Sequence, residues 1–168
     1  EGMSSKHNPE FTMLESYEAY ADYHDVARMT EEMISTVARQ VLGTTVIHFR
    51  GHAIDLAPPW RRLTFIEALR DFGGPDLERL TDADSLREEL RRRGLAVTDQ
   101  MGHGKLADEA MSYYVEPNLI EPTFLLDYPV ELSPLAKRKP DNPRLVERFE
   151  CFIAGFECGN AYTELNDP

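Results

Sequence analysis

Aromatic and acidic residues alternate near the start of the chain, in a stretch whose pattern predicts one long strand over 10–21. Counting by two places Phe11, Met13, Glu15, Tyr17 and Ala19 on one face of that strand. A carboxylate between two aromatic rings suits a planar base together with a cationic ligand. Spacing alone favours a simpler interpretation, a half-buried strand with one satisfied glutamate, because most paired carboxylates in proteins are not catalytic.

A similar face is predicted near the other end of the chain. Asn160, Tyr162 and Glu164 lie on one side of the predicted last strand, again by counting in twos. If this face and the first one line the same pocket, Glu15 and Glu164 supply two carboxylates, and the tyrosines supply ring faces. That combination would hold an ammonium group by charge and cation–π attraction. Pairing of Glu164 at a strand end is an equally good explanation of the pattern.

Composition limits the classes of protein. The 168 residues, 42% of them hydrophobic, suffice for one domain with a substantial core and for one additional segment outside that core. The net charge of −12 argues against capture of DNA or RNA by the overall field, so any RNA contact must be local. Cys151 and Cys158 are too few for a disulfide framework and have no histidines beside them, which predicts two buried structural thiols in a reducing compartment. We find no signal peptide or membrane span, which makes the cytoplasm the default location.

Helical and strand patterns then follow in order. Residues 25–42 have helical spacing, with Gly43 at the expected left-handed cap, and residues 44–56 predict a hairpin turning at Arg50 and Gly51. The apolar stripe predicted to pack that helix on a sheet is Val26, Met29, Met33, Val37 and Val41. Residues 60–116 predict a helical excursion beside an antiparallel sheet, whose strands would lie near 10–21, 44–56, 122–130 and 146–165.

The stretch EGMSSKHNPEFTMLESYEAYADY resembles motif 2 of the class II aminoacyl-tRNA synthetases, in the form carried by lysyl-tRNA synthetases. LLDYPVELSPLAKRKPDNP (125–143) and RFECFIAGFECGNAYTELNDP (148–168) are similar to two later stretches of that family, in the family's order. The resemblance implies an α+β fold, an antiparallel sheet with flanking helices and a helical insertion. It divides the chain into catalytic core at 1–59, insertion at 60–118 and returning core strands at 119–168.

The resemblance also implies roles for individual residues. The ATP site would include Glu1, His7, Asn8 and Phe11, with Phe11 stacked on adenine. The lysine pocket would be formed by Glu15, Tyr17, Asn160, Tyr162 and Glu164, although Tyr162 stands where phenylalanine is more usual. The acidic positions Glu150 and Glu157 would hold Mg²⁺ that bridges ATP phosphates.

Because side chains alternate along a strand, Glu157 would face away from the side on which Asn160 lies. Gly159 predicts a β-bulge, which would turn Glu157 back toward the pocket. No catalytic residue is expected within these 168 residues, because the family's motif arginines are absent from them. This piece of the protein is therefore expected to be inactive alone.

As a function, the resemblance implies a ligase that activates lysine with ATP and transfers it to tRNA(Lys), in a protein that is a homodimer. Two alternatives stay open, a ligase that attaches lysine to elongation factor P and a non-catalytic relative that only binds lysine or nucleotide. SPLAKR and GNAYTELND favour the tRNA enzyme, and the retained acidic residues argue against loss of the site.

Overall fold

A computed structural model describes residues 8–166, which form four helices and six strands. Helices and strands both contribute, so the predicted α+β class is confirmed. The elements are α1 (Tyr23–Leu42), β1 (Val46–Phe49), β2 (His52–Asp55), β3 (Arg61–Thr64), α2 (Phe65–Asp71), α3 (Ala83–Arg92), α4 (His103–Tyr114), β4 (Thr123–Pro129), β5 (Leu145–Ile153) and β6 (Phe156–Tyr162). Short 3₁₀ turns follow α4 at Glu116–Asn118 and β4 at Val130–Leu132.

The strands form two separate sheets. The β1–β2 hairpin forms a two-stranded sheet of its own, and the larger sheet has the strand order β3-β4-β5-β6. β4 pairs with β5, and β5 with β6, in the antiparallel sense, whereas β3 runs parallel to β4. β4 is buried along its whole length, as expected of a central strand covered on both faces.

Local sequence signals at turns and caps are confirmed. Gly43 ends α1 in the left-handed conformation with φ 74° and donates its N–H to the Arg39 carbonyl. The predicted hairpin turns at Arg50 and Gly51, both with positive φ. A capping box of Thr64 and Glu67 starts α2.

Three predictions about strands are wrong. Residues 44–56, expected within the larger antiparallel sheet, form a separate hairpin. Residues 10–21 form no strand, because an alternating pattern becomes a strand only when a neighbour accepts its backbone hydrogen bonds, and β6 lies across a groove from this segment. Residues 61–64, expected within the helical excursion, form β3 and pair with β4. The helices therefore begin at Phe65, and the domain boundaries at 60 and 118 stay predictions.

The predicted packing face of α1 is wrong except at Val26, which is partly buried against the cluster that contains Tyr23 and Ala27. Met29 and Met33 are each 38% exposed and Val37 and Val41 still more, whereas the buried positions are Tyr23, Ala27, Glu31, Ser35 and Ala38. Small residues let the helix approach the sheet closely. The Glu31 carboxylate is neutralised there by Arg62 at 2.9 Å and accepts the Trp60 backbone N–H at 2.8 Å.

The helices lie on opposite faces of the sheet. Phe124 and Leu126 of β4 pack with Tyr23 and Ala27 of α1, whereas Leu125 packs with the cluster formed by α2, α3 and α4. None of the helices within residues 8–166 is long and apolar enough to span a bilayer.

Candidate functional site

A groove of about 1240 Å³ lies between the segment 11–18, helix α1 and strand β6. It is lined by Phe11, Glu15 and Tyr17 on one side and by Asn160, Tyr162 and Glu164 on the other. Residues of both predicted faces therefore line one cavity, together with the residues that alternate with them, such as Leu14, Ser16 and Ala161, and the first segment is extended chain and not a strand. Met29 and Met33 line the groove from α1, which explains why these two residues of the predicted stripe are not buried against the sheet.

The first side of the groove is organised around Glu15. The Tyr17 hydroxyl donates a 2.7 Å hydrogen bond to the Glu15 carboxylate. The pKa of Tyr17 is raised, first by this hydrogen bond and the charge of Glu15, and further by the charge of Glu164. Because Glu164 acts on Tyr17 through space, the carboxylates of the two sides share one electrostatic environment.

The β6 side of the groove contains the predicted bulge. Cys151 faces Gly159 and Phe152 faces Glu157, so Cys158 is an extra residue in β6. The bulge turns Glu157 into the groove, where its carboxylate accepts a hydrogen bond from the Asn160 amide at 3.3 Å. Cys158 is consequently exposed, and the prediction that both thiols are buried is wrong for it.

Glu150 lies on β5 behind the groove and is largely buried. Its carboxylate accepts a hydrogen bond from the Arg148 guanidinium at 2.5 Å. Burial raises the pKa of Glu150, the negative charge of Glu157 raises it further, and Arg148 opposes both. Glu150 does not line the groove as Glu157 does.

The chemistry of this acidic pair fits a divalent cation in part. Two carboxylates that repel each other are stabilised by a hard cation bound between them, and oxygen ligands are those that Mg²⁺ prefers. No group of three or more acidic, histidine or cysteine side chains within residues 8–166 is arranged to hold a metal. Further ligands would therefore have to come from a bound substrate, from water or from parts of the protein outside residues 8–166.

Some predicted ATP-site residues are not placed in the groove. Glu1 and His7 lie outside the described residues. Asn8 is exposed and is not part of the groove lining. Of the two described residues of the predicted ATP set, Phe11 lines the groove and is 77% exposed.

Sequence reasoning missed a buried polar cluster near the groove. The Asp127 carboxylate accepts hydrogen bonds from the Tyr23 hydroxyl at 2.7 Å and the Lys139 ammonium at 2.8 Å. A signal was present, because Asp127 is a single charged residue within the otherwise apolar strand TFLLDYP. Its partners could not be found from sequence, since they lie 104 and 12 residues away.

The chain belongs to the class II tRNA synthetases (D, K and N), whose family model matches residues 1–168. Among curated relatives, it is similar to a protein named "Lysine--tRNA ligase" in Moorella thermoacetica, with 53% identity over 168 residues. Proteins of the same name in Roseiflexus castenholzii and Chloroflexus aurantiacus are 53% and 51% identical over the same length. Each alignment covers 100% of this chain and 34% of the relative, so the chain spans about a third of the length of these proteins.

Proposed function

We propose that the full-length protein is an ATP-dependent lysine–tRNA ligase and that the groove binds its amino acid. The observation that carries this proposal is the convergence of Glu15 and Glu164, with the rings of Tyr17 and Tyr162, on one cavity. Two carboxylates beside two aromatic rings favour an ammonium group over a neutral or acidic side chain. The relatives named lysine–tRNA ligase, similar over the whole chain, support lysine as that amine.

The reaction would proceed in two steps. The lysine carboxylate attacks the α-phosphorus of ATP, which forms lysyl-adenylate and releases pyrophosphate. A terminal ribose hydroxyl of tRNA(Lys) then attacks the adenylate carbonyl, and AMP leaves. Because no protein nucleophile is needed, the contribution of this chain is to bind and orient the substrates.

Each residue set has a role in that scheme. Glu15, Glu164 and the two tyrosines would bind the amine, with Asn160 beside them, and Phe11 would stack on adenine. Asn8 together with Glu1 and His7 would complete the nucleotide site. Glu150 and Glu157 would hold Mg²⁺, which supplies positive charge to the ATP phosphates when it is bound.

The expected location and assembly are those of the resemblance, a cytoplasmic homodimer. The molecule that accepts the activated lysine distinguishes the tRNA enzyme from the two alternatives. Transfer of lysine to elongation factor P and not to tRNA would select the first alternative. Binding of lysine or ATP without pyrophosphate exchange would select the non-catalytic relative.

Substitution of Glu164 tests the amine-binding role in the full-length protein. Glu164→Gln removes the negative partner of the ammonium, a charge-assisted hydrogen bond worth about 1.5–3 kcal/mol. Lysine-dependent pyrophosphate exchange should therefore show a rise in the KM for lysine of about 10- to 150-fold, with the KM for ATP little changed. Glu121→Gln, which alters an exposed carboxylate outside the groove, is the matched control. An unchanged KM for lysine, or an equal loss for ATP, would remove Glu164 from this role.

A further inference from the structure

Tyr23, Asp127 and Lys139 form a buried hydrogen-bonded cluster, named here the buried trio. The Tyr23 hydroxyl and the Lys139 ammonium each donate to a different oxygen of Asp127, at 2.7 and 2.8 Å, and Lys139 also reaches the Tyr23 hydroxyl at 3.3 Å. Tyr23 is 3% and Asp127 7% exposed. The trio thus joins the first turn of α1, the middle of β4 and the loop before β5.

Asp127 has an unusual backbone as well as a buried charge. Its φ of 62° places it in the left-handed region, and the β4–β5 register shifts between Leu126 and Tyr128 around it. A non-glycine residue in this region is uncommon, and buried charges are retained only when they are paired. Backbone outliers held by their surroundings occur preferentially at functional sites.

The loop that carries Lys139 lies directly beside Glu164. Residues 135–139, named here the ribbon, form hydrogen bonds on both sides of that glutamate. Leu165 donates its backbone N–H to Leu135 at 3.1 Å, Lys137 donates to Thr163 at 2.8 Å, and Ala136 pairs with Glu164 in the antiparallel sense. The ribbon is joined to β5 by the backbone N–H of Lys139, which donates to Leu145 at 2.9 Å.

Helix α1 reaches the same short segment from the other side. The backbone N–H of Tyr23 donates to the Thr163 hydroxyl at 3.2 Å, one residue before Glu164. The two parts of the fold that bracket Glu164, the ribbon and the start of α1, are therefore the parts that the buried trio holds together. A shift of either part would therefore be transmitted to the backbone at Glu164 through these hydrogen bonds.

We propose that the buried trio is a positioning device for Glu164, which fixes the ribbon against α1 so that this carboxylate meets the amine end of the substrate. The proposal rests on the proposed function for the identity of that amine. Lys139 and Asp127 touch no substrate in this scheme, and they act through the ribbon. Loss of the Lys139 ammonium leaves the Asp127 carboxylate buried without its counter-charge and frees the ribbon to shift.

The test is lysine-dependent pyrophosphate exchange by the full-length protein and its variants. Lys139→Met should raise the KM for lysine at least fivefold, with the KM for ATP within twofold of the unaltered protein. Lys139→Arg keeps the positive charge and should restore the KM for lysine to within threefold. Tyr23→Phe removes only the hydroxyl and should give a smaller rise of the same kind, which keeps the test available if Lys139→Met does not fold.

Glu31→Gln is the matched control. It disrupts a comparably buried ion pair on the same helix, in which Glu31 lies 2.9 Å from Arg62. The hydrogen bonds of the Glu31 carboxylate come from Trp60 and Arg62, which are outside the ribbon and outside residues 163–165. The melting temperature of Glu31→Gln should fall while its KM for lysine stays within twofold. If Glu31→Gln and Lys139→Met change the KM for lysine equally, or if Lys139→Arg gives no recovery, the trio stabilises the fold and does not position Glu164.

Failure of this inference differs from failure of the proposed function. If the unaltered full-length protein shows no lysine-dependent exchange, the proposed function fails. If it shows exchange, and Glu164→Gln raises the KM for lysine whereas Lys139→Met and Tyr23→Phe do not, the amine site stands and the positioning role is overturned.

Discussion

At the scale of single residues, Glu150 is a buried carboxylate close to the groove. Its pKa is raised by burial and by the charge of Glu157, so the folded protein holds a proton there to higher pH than an unfolded chain, in which the glutamate pKa is about 4.3. Between those two pKa values the folded state binds more protons. Stability therefore falls as the pH rises from about 4.3 through the raised pKa of Glu150.

Substitution of Glu157 tests whether its charge raises the pKa of Glu150. Glu157→Gln removes one negative charge, so the pKa of Glu150 should move down toward its ordinary value. Carbon-13 NMR of labelled glutamate carboxyls in the full-length protein would measure the titration, with Glu150→Gln to assign the signal. Glu147→Gln, three residues earlier on β5 and on its opposite face, is the control. An unmoved pKa in Glu157→Gln would separate the two carboxylates and weaken their assignment as one metal site.

At the scale of elements, α1 determines one wall of the groove and one end of the buried trio. Its first turn is fixed by a capping box, in which Asp22 accepts the N–H groups of His24 and Asp25, and Asp25 accepts the N–H of Asp22. The pKa of Asp25 is lowered, first by the hydrogen bond from the Asp22 N–H. This contribution to stability is complete above about pH 3.9 and is lost as the pH falls through the lowered pKa.

Removal of the cap should loosen the start of α1. Asp22→Ala costs about 1 kcal/mol of local helix stability, so amide hydrogen exchange at His24 and Asp25 should accelerate about fivefold. Asp82→Ala removes the equivalent cap of α3, where Asp82 accepts the Ser85 N–H, and should leave α1 exchange unchanged. Equal acceleration in α1 from both variants would mean that global unfolding, and not the cap, governs exchange there.

The same element shows what sequence can and cannot predict. The caps at Gly43 and Thr64 and the turn at Gly51 were predictable because each depends on a few neighbouring residues. The buried face of α1 was not, because Glu31 is buried only where Arg62 and the Trp60 backbone meet it. β3 was missed for a related reason, since four residues become a strand only through the distant partner β4.

The candidate site shows the same contrast between features set by neighbouring residues and features set by distant partners. Alternation grouped Glu15 with Tyr17 and Asn160 with Glu164, and all four line the groove. Residues 11–18 line it without interruption, however, so the lining does not test the predicted parity. Whether the segment 10–21 paired into a sheet depended on a neighbour that the pattern does not specify. The bulge at Cys158 was predictable from Gly159, whereas the trio required contacts across 104 residues.

At the scale of the molecule, the described groove is strongly acidic, in keeping with the net charge of −12. No lysine, arginine or histidine lines it within residues 8–166. The carboxylates that line it are those of Glu15, Glu18, Asp22, Glu116, Glu157 and Glu164. Such a surface attracts an amine and repels a triphosphate, so ATP would need cations from other parts of the full-length protein.

An isolated polypeptide of residues 1–168 should therefore bind lysine in preference to ATP and show no pyrophosphate exchange. Calorimetric titration with each ligand, after circular dichroism has established that the polypeptide is folded, would measure this. The full-length protein under the same conditions is the control and should bind both. Tight ATP binding by residues 1–168 would contradict the electrostatic argument.

The parallel pairing of β3 with β4 has a consequence for protein engineering. The chain leaves β3 at Thr64 and enters β4 at Thr123, which lies beside Arg61 at the opposite end of the pair. Any replacement for the intervening helices must run back along about 10 Å of strand before it can rejoin the sheet. A short loop would suffice between antiparallel neighbours, but here it would pull β3 out of the sheet. Deletion designs should therefore shorten α3 and α4 individually and keep a crossover of at least a dozen residues.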